Sequence, residues 1–229
     1  MTLQPQTQQA ADEARSILRW VLATLGDRAV VVSSLGPQTL VVLELVAELG
    51  GQLPVLTIDT GFLFEETVAL RARVEARYGL QIRVVRPPLS PSAQTETHGR
   101  ALWERDPDRC CALRKVNPLR SALGDYDAWI TGLRRDQGAT RTSVAPVQWD
   151  SAYGIAKFNP LASWTRAEVA AFTTDRGIPL NPLLTRGYRS VGCTHCTRPT
   201  GADDERAGRW PDSDKTECGI HQLFPRSST

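Results

Sequence analysis

Between Ala29 and Val85 the chain alternates short β-branched runs with segments of helical length, and this alternation restricts the fold more than any other feature. AVVVS (29–33), PVLTID (54–59) and QIRVV (81–85) read as three strands. Between them lie the apolar TLVVLELVAEL, ending at Gly50-Gly51, and a polar-faced segment from Phe64 to Tyr78, closed by Gly79. Glycine just past the last helical residue is a common helix stop. Strands separated by whole helices cannot pair through tight turns, so they must run parallel with right-handed crossovers. The expected fold is therefore α/β, with a doubly wound, mostly parallel sheet.

The flanks extend the pattern. Ala14, Ile17, Leu18, Val21, Leu22 and Leu25 recur at helical spacing ahead of Gly26, which predicts an amphipathic first helix over 10–26. Residues 86–108 are polar and proline-bearing and read as a long loop with one short helix, suited to a lid. A helix is expected through DRCCALRKV, checked near Pro118. YDAWITG (126–132) reads as a strand, with weaker strand signals at VAPVQW and AKFNPL. Thr165 and Glu168 form a capping box for a helix to Arg176, stopped by Gly177 and Pro179. Beyond Leu184 no periodicity remains, which predicts an irregular C-terminal tail.

At 229 residues the chain fits one generous domain, or one domain with a functional tail. With 41% hydrophobic residues and 17 glycines, disorder throughout is excluded. The balance of 27 basic against 25 acidic residues, net +2, excludes a general nucleic-acid coat and a polybasic membrane anchor. Any anion site must come from local clustering. Only Lys115, Lys157 and Lys215 among the basic residues are lysines, leaving 24 arginines. Genome bias explains this excess, and so does phosphate or sulfate chemistry that uses the bidentate guanidinium. The N-terminal residues lack a secretory pattern, and no apolar run approaches the ~18 residues of a spanning helix. A cytoplasmic protein with no membrane or nucleic-acid partner is expected.

In open α/β sheets ligands sit at the carboxyl ends of strands near the topological switch point. Ser33-Ser34-Leu35-Gly36, Asp59-Thr60-Gly61 and the stretch Gly132 to Arg141 all follow expected strands. Hydroxyls and backbone N–H groups at a helix N-terminus can hold phosphate. SSLGPQT lacks the Walker A lysine, and by itself it reads by default as a structural turn.

The five cysteines are an odd number, which argues against a disulfide framework and for metal binding or a reactive thiol. Cys110-Cys111 is followed by Cys193 and Cys196 in CTHC, then by Cys218 in ECGIH. Two distant pairs suit a tetrahedral zinc or an iron–sulfur cluster, and adjacent cysteines are easier for separate iron atoms than for one zinc. The bland alternative has Cys110 and Cys111 as small buried residues and CTHC as a redox pair.

With CCALRKVNPL, TGLRRDQGATR, KFNPL, RGYRSVGCTHCTRPTGADDERAGRW and ECGIH in this order, the chain resembles the assimilatory sulfonucleotide reductases from about Val30 to His221. It is most similar to the iron–sulfur type that reduces adenosine 5′-phosphosulfate. The resemblance implies an adenine nucleotide alpha hydrolase-like (PP-loop) domain over 1–196 that carries a 4Fe-4S cluster on Cys110, Cys111, Cys193 and Cys196. It implies a mobile tail over 197–229 that bears the nucleophile Cys218, with His221 beside it. The thiolate would attack the sulfate sulfur, AMP would leave, and thioredoxin would release sulfite from the S-sulfocysteine. Lys115, Arg141, Arg206 and Arg209 look like phosphosulfate contacts, with Arg134 and Arg135 as weaker candidates. Ser33 and Ser34 resemble the family's phosphate loop, Ile58, Asp59 and Gly61 its adenosine-side turn, and Gly132 is a further substrate-binding candidate. Members of this family often form homo-oligomers. Two rival functions remain: reduction of the 3′-phosphorylated nucleotide, and a zinc-stabilised nucleotide-binding module without reductase activity.

Overall fold

The structure, a computed structural model, describes residues 5–201 and 204–221. The expected alternation is present as α1 (Pro5–Thr24), β1 (Ala29–Val32), α2 (Pro37–Glu48), β2 (Val55–Ile58), α3 (Glu65–Tyr78) and β3 (Ile82–Val85). Gly79 takes φ +60° and caps α3 in the left-handed conformation that a side chain would resist.

Residues 86–108 correct the expectation of a long loop with one short helix. They form α4 (Pro91–His98), α5 (Leu102–Arg105) and the start of α6 (Pro107–Cys111). The signals are local. Ser90 Oγ accepts the Ala93 N–H at 3.1 Å and Asp106 Oδ1 accepts the Arg109 N–H at 2.9 Å, each cap followed by a proline in the first turn. The helical path then continues through a π turn (Ala112–Val116) into α7 (Asn117–Leu123). Pro118 does not stop it, because it falls in the first turn of α7, where a missing N–H is tolerated.

The chain continues through β4 (Ala128–Ile130), β5 (Val147–Asp150), β6 (Ile155–Phe158) and α8 (Arg166–Asp175). The sheet order is β3-β2-β1-β4-β6-β5, parallel throughout except for β5 against β6. Val31, Val55 and Ile130 face one layer, with Leu18 of α1, Leu40 and Leu45 of α2, Leu70 of α3 and Phe172 of α8. Val30, Leu56 and Trp129 face the other, against Leu119 and Leu123 of α7. Helices thus cover both faces, which explains why the parallel strands read as unbroken apolar runs. Burying Val30 or Val31 of β1 contributes about 1.5–3 kcal/mol each. The expected capping box is present: Thr165 Oγ1 accepts the Glu168 N–H, and Glu168 Oε2 accepts the Thr165 N–H at 2.7 Å.

Because β1 lies between β2 and β4, the chain leaves it in opposite directions on its two sides. The switch-point crevice therefore opens above the carboxyl ends of β1 and β4. After α8 the only helical elements among the described residues are 3-10 turns at Pro182–Arg186 and Thr194–Cys196. The segment beyond Thr197 folds back on itself: Thr197 bridges to Arg209, the Trp210 N–H donates to the Cys196 carbonyl at 3.0 Å, and Trp210 is 4% exposed. Residues 202–203 and 222–229 of the expected tail lie outside the described residues. No helix among the described residues is long and apolar enough to cross a membrane.

Candidate active site

A cavity of about 420 Å³ occupies the switch-point crevice. Its floor is built by the turn after β1. Ser33 Oγ accepts the Leu35 N–H at 3.0 Å and donates to Thr39 Oγ1 at 2.9 Å, so this hydroxyl closes the turn into α2. Ser34 is exposed and borders the cavity. Pro37 opens α2 and has no N–H, so the backbone donors that the first turn of this helix offers there are those of Gln38 and Thr39. Gly132, just past β4, lets this helix approach: a Cβ on it would lie 2.7 Å from Gln38 Cβ and 2.9 Å from both Gln38 C and Thr39 N. Ile58 also borders the cavity, whereas Asp59 and Gly61 do not. Asp59 instead accepts the Gly61 N–H at 3.0 Å and Arg86 Nε at 3.2 Å, a turn-forming role.

Lys115, Arg134, Arg141, Arg206 and Arg209 all border the cavity, but they are not equivalent. Arg134 is fully buried and donates to Asp136 at 2.8 Å and to Glu205 at 2.7 Å. Arg141 donates Nη1 to Gln137 at 2.6 Å and grips Glu217 with Nε and Nη2 at 2.8 and 2.9 Å. Arg206 reaches the same carboxylate at 3.1 Å and the Thr216 carbonyl at 2.7 Å. Arg135 is exposed, donates to the Val144 carbonyl at 2.9 Å and stands apart from the cavity. Arg209 lies over the Trp210 ring at 4.5 Å, and its buried Nε has no hydrogen-bond partner among the described residues.

The fields follow from this packing. Burial pushes Arg206 down to about 10, reinforced by Arg141 and opposed by Glu217. Burial would raise Glu217, yet Arg141 and Arg206 outweigh it and hold the carboxyl below its usual range. Burial likewise works against the Lys115 ammonium, but Cys193, Cys111 and Cys218 raise it above its usual value.

Cys218 is half-buried and borders the cavity with His221. Glycine follows it at φ +81°, so the backbone turns sharply at Gly219. Tyr153 Oη then donates to the Ile220 carbonyl at 3.0 Å, and the His221 ring stacks on Trp129 with centroids 5.4 Å apart. Burial, with Lys157, Arg141 and Arg206 nearby, holds His221 well below the usual histidine range, so it is neutral at physiological pH.

The remaining four cysteines line a second, much smaller pocket, which Arg114 and Lys115 also border. The expected 4Fe-4S cluster is nevertheless corrected: among the described residues no group of three or more His, Cys, Asp or Glu is placed to hold a metal ion. The four share that pocket, with Cys111, Cys193 and Cys196 in one packed cluster. Cys110 faces Gln94 Nε2 at 3.9 Å, Cys193 contacts the Thr60 hydroxyl at 3.3 Å, and Cys111 and Cys196 pack with Trp210. Burial pushes Cys111 up to about 12 and raises Cys110 and Cys196 as well. Burial also opposes the Cys193 thiolate, but Lys115 and Thr60 outweigh it and lower that thiol. His195 stacks flat on Trp103 at 3.8 Å.

Several residues at this site were not anticipated from sequence. Glu205 and Glu217 sit inside recognisable motifs, yet their partners are arginines 71 and 76 positions away. Tyr153 and Trp129 act on the tail across the sheet, which no local pattern signals.

Comparison with known proteins matches this arrangement. Residues 28–199 match the model of the phosphoadenosine phosphosulfate reductase domain. The adenosine 5′-phosphosulfate reductase of Halalkalibacterium halodurans is 44% identical, over 92% of this chain and 92% of its own. The phosphoadenosine 5′-phosphosulfate reductase of Gloeobacter violaceus is also 44% identical, over 90% of this chain and 87% of its own. The crystal structure of phosphoadenylyl-sulfate reductase from Candida auris, a phosphate complex, superposes with a TM-score of 0.72 at 28% identity, covering 86% of this chain and 99% of that one. The crevice at the switch point, its cations and the order of the motifs thus accompany a family match over most of the chain, and the protein belongs to the phosphoadenosine phosphosulfate reductase domain family.

Proposed function

We propose that this chain catalyses the thioredoxin-dependent reduction of adenosine 5′-phosphosulfate to sulfite and AMP, in sulfate assimilation. The observation that carries the reading is the convergence of one tail thiol, Cys218, with Lys115, Arg206 and Arg209 on a single cavity above the switch point. A thiolate is the reactive form of cysteine, and cations beside it favour that form. The Cys218 thiolate attacks the sulfate sulfur, an S–S bond forms, the S–O bond to the nucleotide breaks, and AMP departs with the electron pair. Fixed cations suit the charge that develops on the departing phosphate. A dithiol of thioredoxin then attacks the Cys218 sulfur, releases sulfite and ends as a disulfide, so both electrons come from that dithiol. The tail closes over substrate and reopens to present sulfonated Cys218 to its reductant. All five cysteines are free thiols, which suits a reducing, cytoplasmic location.

The relative from Halalkalibacterium halodurans supports the unphosphorylated nucleotide as substrate, and the equal identity to the Gloeobacter violaceus protein supports its 3′-phosphorylated counterpart as the second reading. Sulfite release is measured with each nucleotide and reduced thioredoxin. Faster turnover of adenosine 5′-phosphosulfate is expected. Equal or faster turnover of the other nucleotide selects the second reading, and no sulfite from either ends both. Cys218→Ser is expected to lower turnover below about a thousandth and to show no sulfonate adduct by mass spectrometry. An adduct that persists in this variant assigns the nucleophile elsewhere.

A further inference from the structure

We infer that Glu217 is a positioning residue for the neighbouring thiol, and that Arg141 serves as its docking partner in the tail and not as a ligand of the substrate anion. The inference rests on the functional reading above only for its activity arm. Arg141 has five N–H donors, and its Nε, Nη1 and Nη2 are all engaged: two atoms form a parallel fork on the Glu217 carboxylate and the third meets Gln137 Oε1. Such a fork fixes direction as well as distance. The side chains are 7% and 17% exposed, so the pair is shielded from solvent far more than a surface ion pair. Thr140 Oγ1 donates to the same carboxylate at 3.1 Å, and Arg206 to its other oxygen at 3.1 Å. Four donors from three residues therefore hold the residue immediately before Cys218.

The other side of the thiol is held as well, by the hydrogen bond of Tyr153 to the Ile220 carbonyl. Cys218 and Gly219 form the short link between two anchored points, so the thiol is placed on the cavity by its neighbours. A second pair repeats the device: Arg134, fully buried, donates to Glu205, which also accepts from Gln38 Nε2 at 2.8 Å. The loop that carries Arg134 and Arg141 is thus a two-point dock for the tail, and Lys115, Arg209 and Arg206, whose Nη1 takes no part in these bonds, are left to face the substrate anion.

The test uses the full chain with Arg141→Gln, Glu217→Gln and the double variant. Hydrogen exchange over residues 216–221 in the resting protein is expected to speed up at least about tenfold in each single variant. Turnover is expected to fall about 10- to 100-fold, while affinity for adenosine 5′-phosphosulfate, measured in the non-turning Cys218→Ser background, stays within about twofold. The double variant is expected to be no worse than either single one, the mark of a shared interaction. Weakened nucleotide binding in Arg141→Gln overturns the proposal, because it makes this arginine a substrate ligand. Tighter binding with unchanged turnover in Glu217→Gln also overturns it, because the carboxylate then merely competes with substrate. If Arg141→Gln does not fold, Glu217→Gln carries the same readouts. If the wild-type chain releases no sulfite, the functional reading falls while the exchange arm still decides whether the dock exists.

Discussion

Gly132→Ala tests how the switch-point crevice is built. Gly132 does not occupy the left-handed region, so an added methyl meets no backbone strain and its effect is one of contact alone. The new carbon would stand 2.7 Å from Gln38 Cβ and 2.9 Å from Gln38 C and Thr39 N. Carbon atoms rest about 3.5–4.0 Å apart, so the first turn of α2 must retreat by roughly 0.5–1 Å. Two of the three atoms are backbone within a helix, and no rotamer change relieves them. Overpacking of this kind costs about 1–3 kcal/mol. With a urea slope of about 1–3 kcal/mol per molar, the unfolding midpoint is expected to fall by about 1 M at mid-range values, within roughly 0.3–3 M. The retreat also carries the N–H groups of α2 away from an anion in the crevice, so AMP affinity by calorimetry is expected to drop at least about tenfold. Gly201→Ala is the control: a Cβ there meets nothing within 4 Å, and the change is expected to stay within about 0.5 kcal/mol. A Gly132→Ala protein with the wild-type midpoint and wild-type AMP affinity would refute the claim that this glycine exists for close approach.

Two further outcomes follow from buried groups near the tail. Lys157 and Asp150 pair at 3.1 Å with side chains 0% and 2% exposed, so Lys157→Met strands a carboxylate and is expected to lose about 3–5 kcal/mol in denaturant unfolding. Adding Asp150→Asn should recover a substantial part of that loss, and simple addition of two losses would contradict the pairing. For His221 the folded pKa is depressed, so its contribution to stability is complete above about pH 6.5 and is lost as pH falls toward the folded value, because the unfolded chain binds the proton first. The slope is at most about 1.4 kcal/mol per pH unit, and His221→Gln should flatten it between pH 5 and about 6.5. Parallel pH profiles for the two proteins would place His221 in water.

Much of the architecture was legible in the chain because it is written locally. The alternation of strands and helices, the stop at Gly79 and the capping box at Thr165 depend on neighbours within one helical turn, and each is present. The helices between Pro91 and Cys111 were legible too, in Ser90-Pro91 and Asp106-Pro107, although the density of prolines and polar residues argued for a loop. Pro118 shows the same ambiguity: proline breaks a helix in its interior and is accepted in its first turn, and only the placement of the π turn before it separates the two.

The site divides along the same line. Sequence alone was enough to collect Ser34, Lys115, Arg206, Arg209, Cys218 and His221 as candidates, and the fold brings all of them to one cavity. It could not say which arginine faces a ligand and which faces a carboxylate, because Arg134 meets Glu205 and Arg141 meets Glu217 only once the tail has folded against the loop after β4. Nor could it decide the arrangement of the cysteines, whose spacing fits a cluster while no group of three or more His, Cys, Asp or Glu among the described residues is placed to hold a metal ion. Residue type and spacing determine what chemistry a side chain can perform. The partner and the dielectric around it, which decide whether that chemistry is free to act, are set by residues distant in the chain and exist only in the tertiary structure.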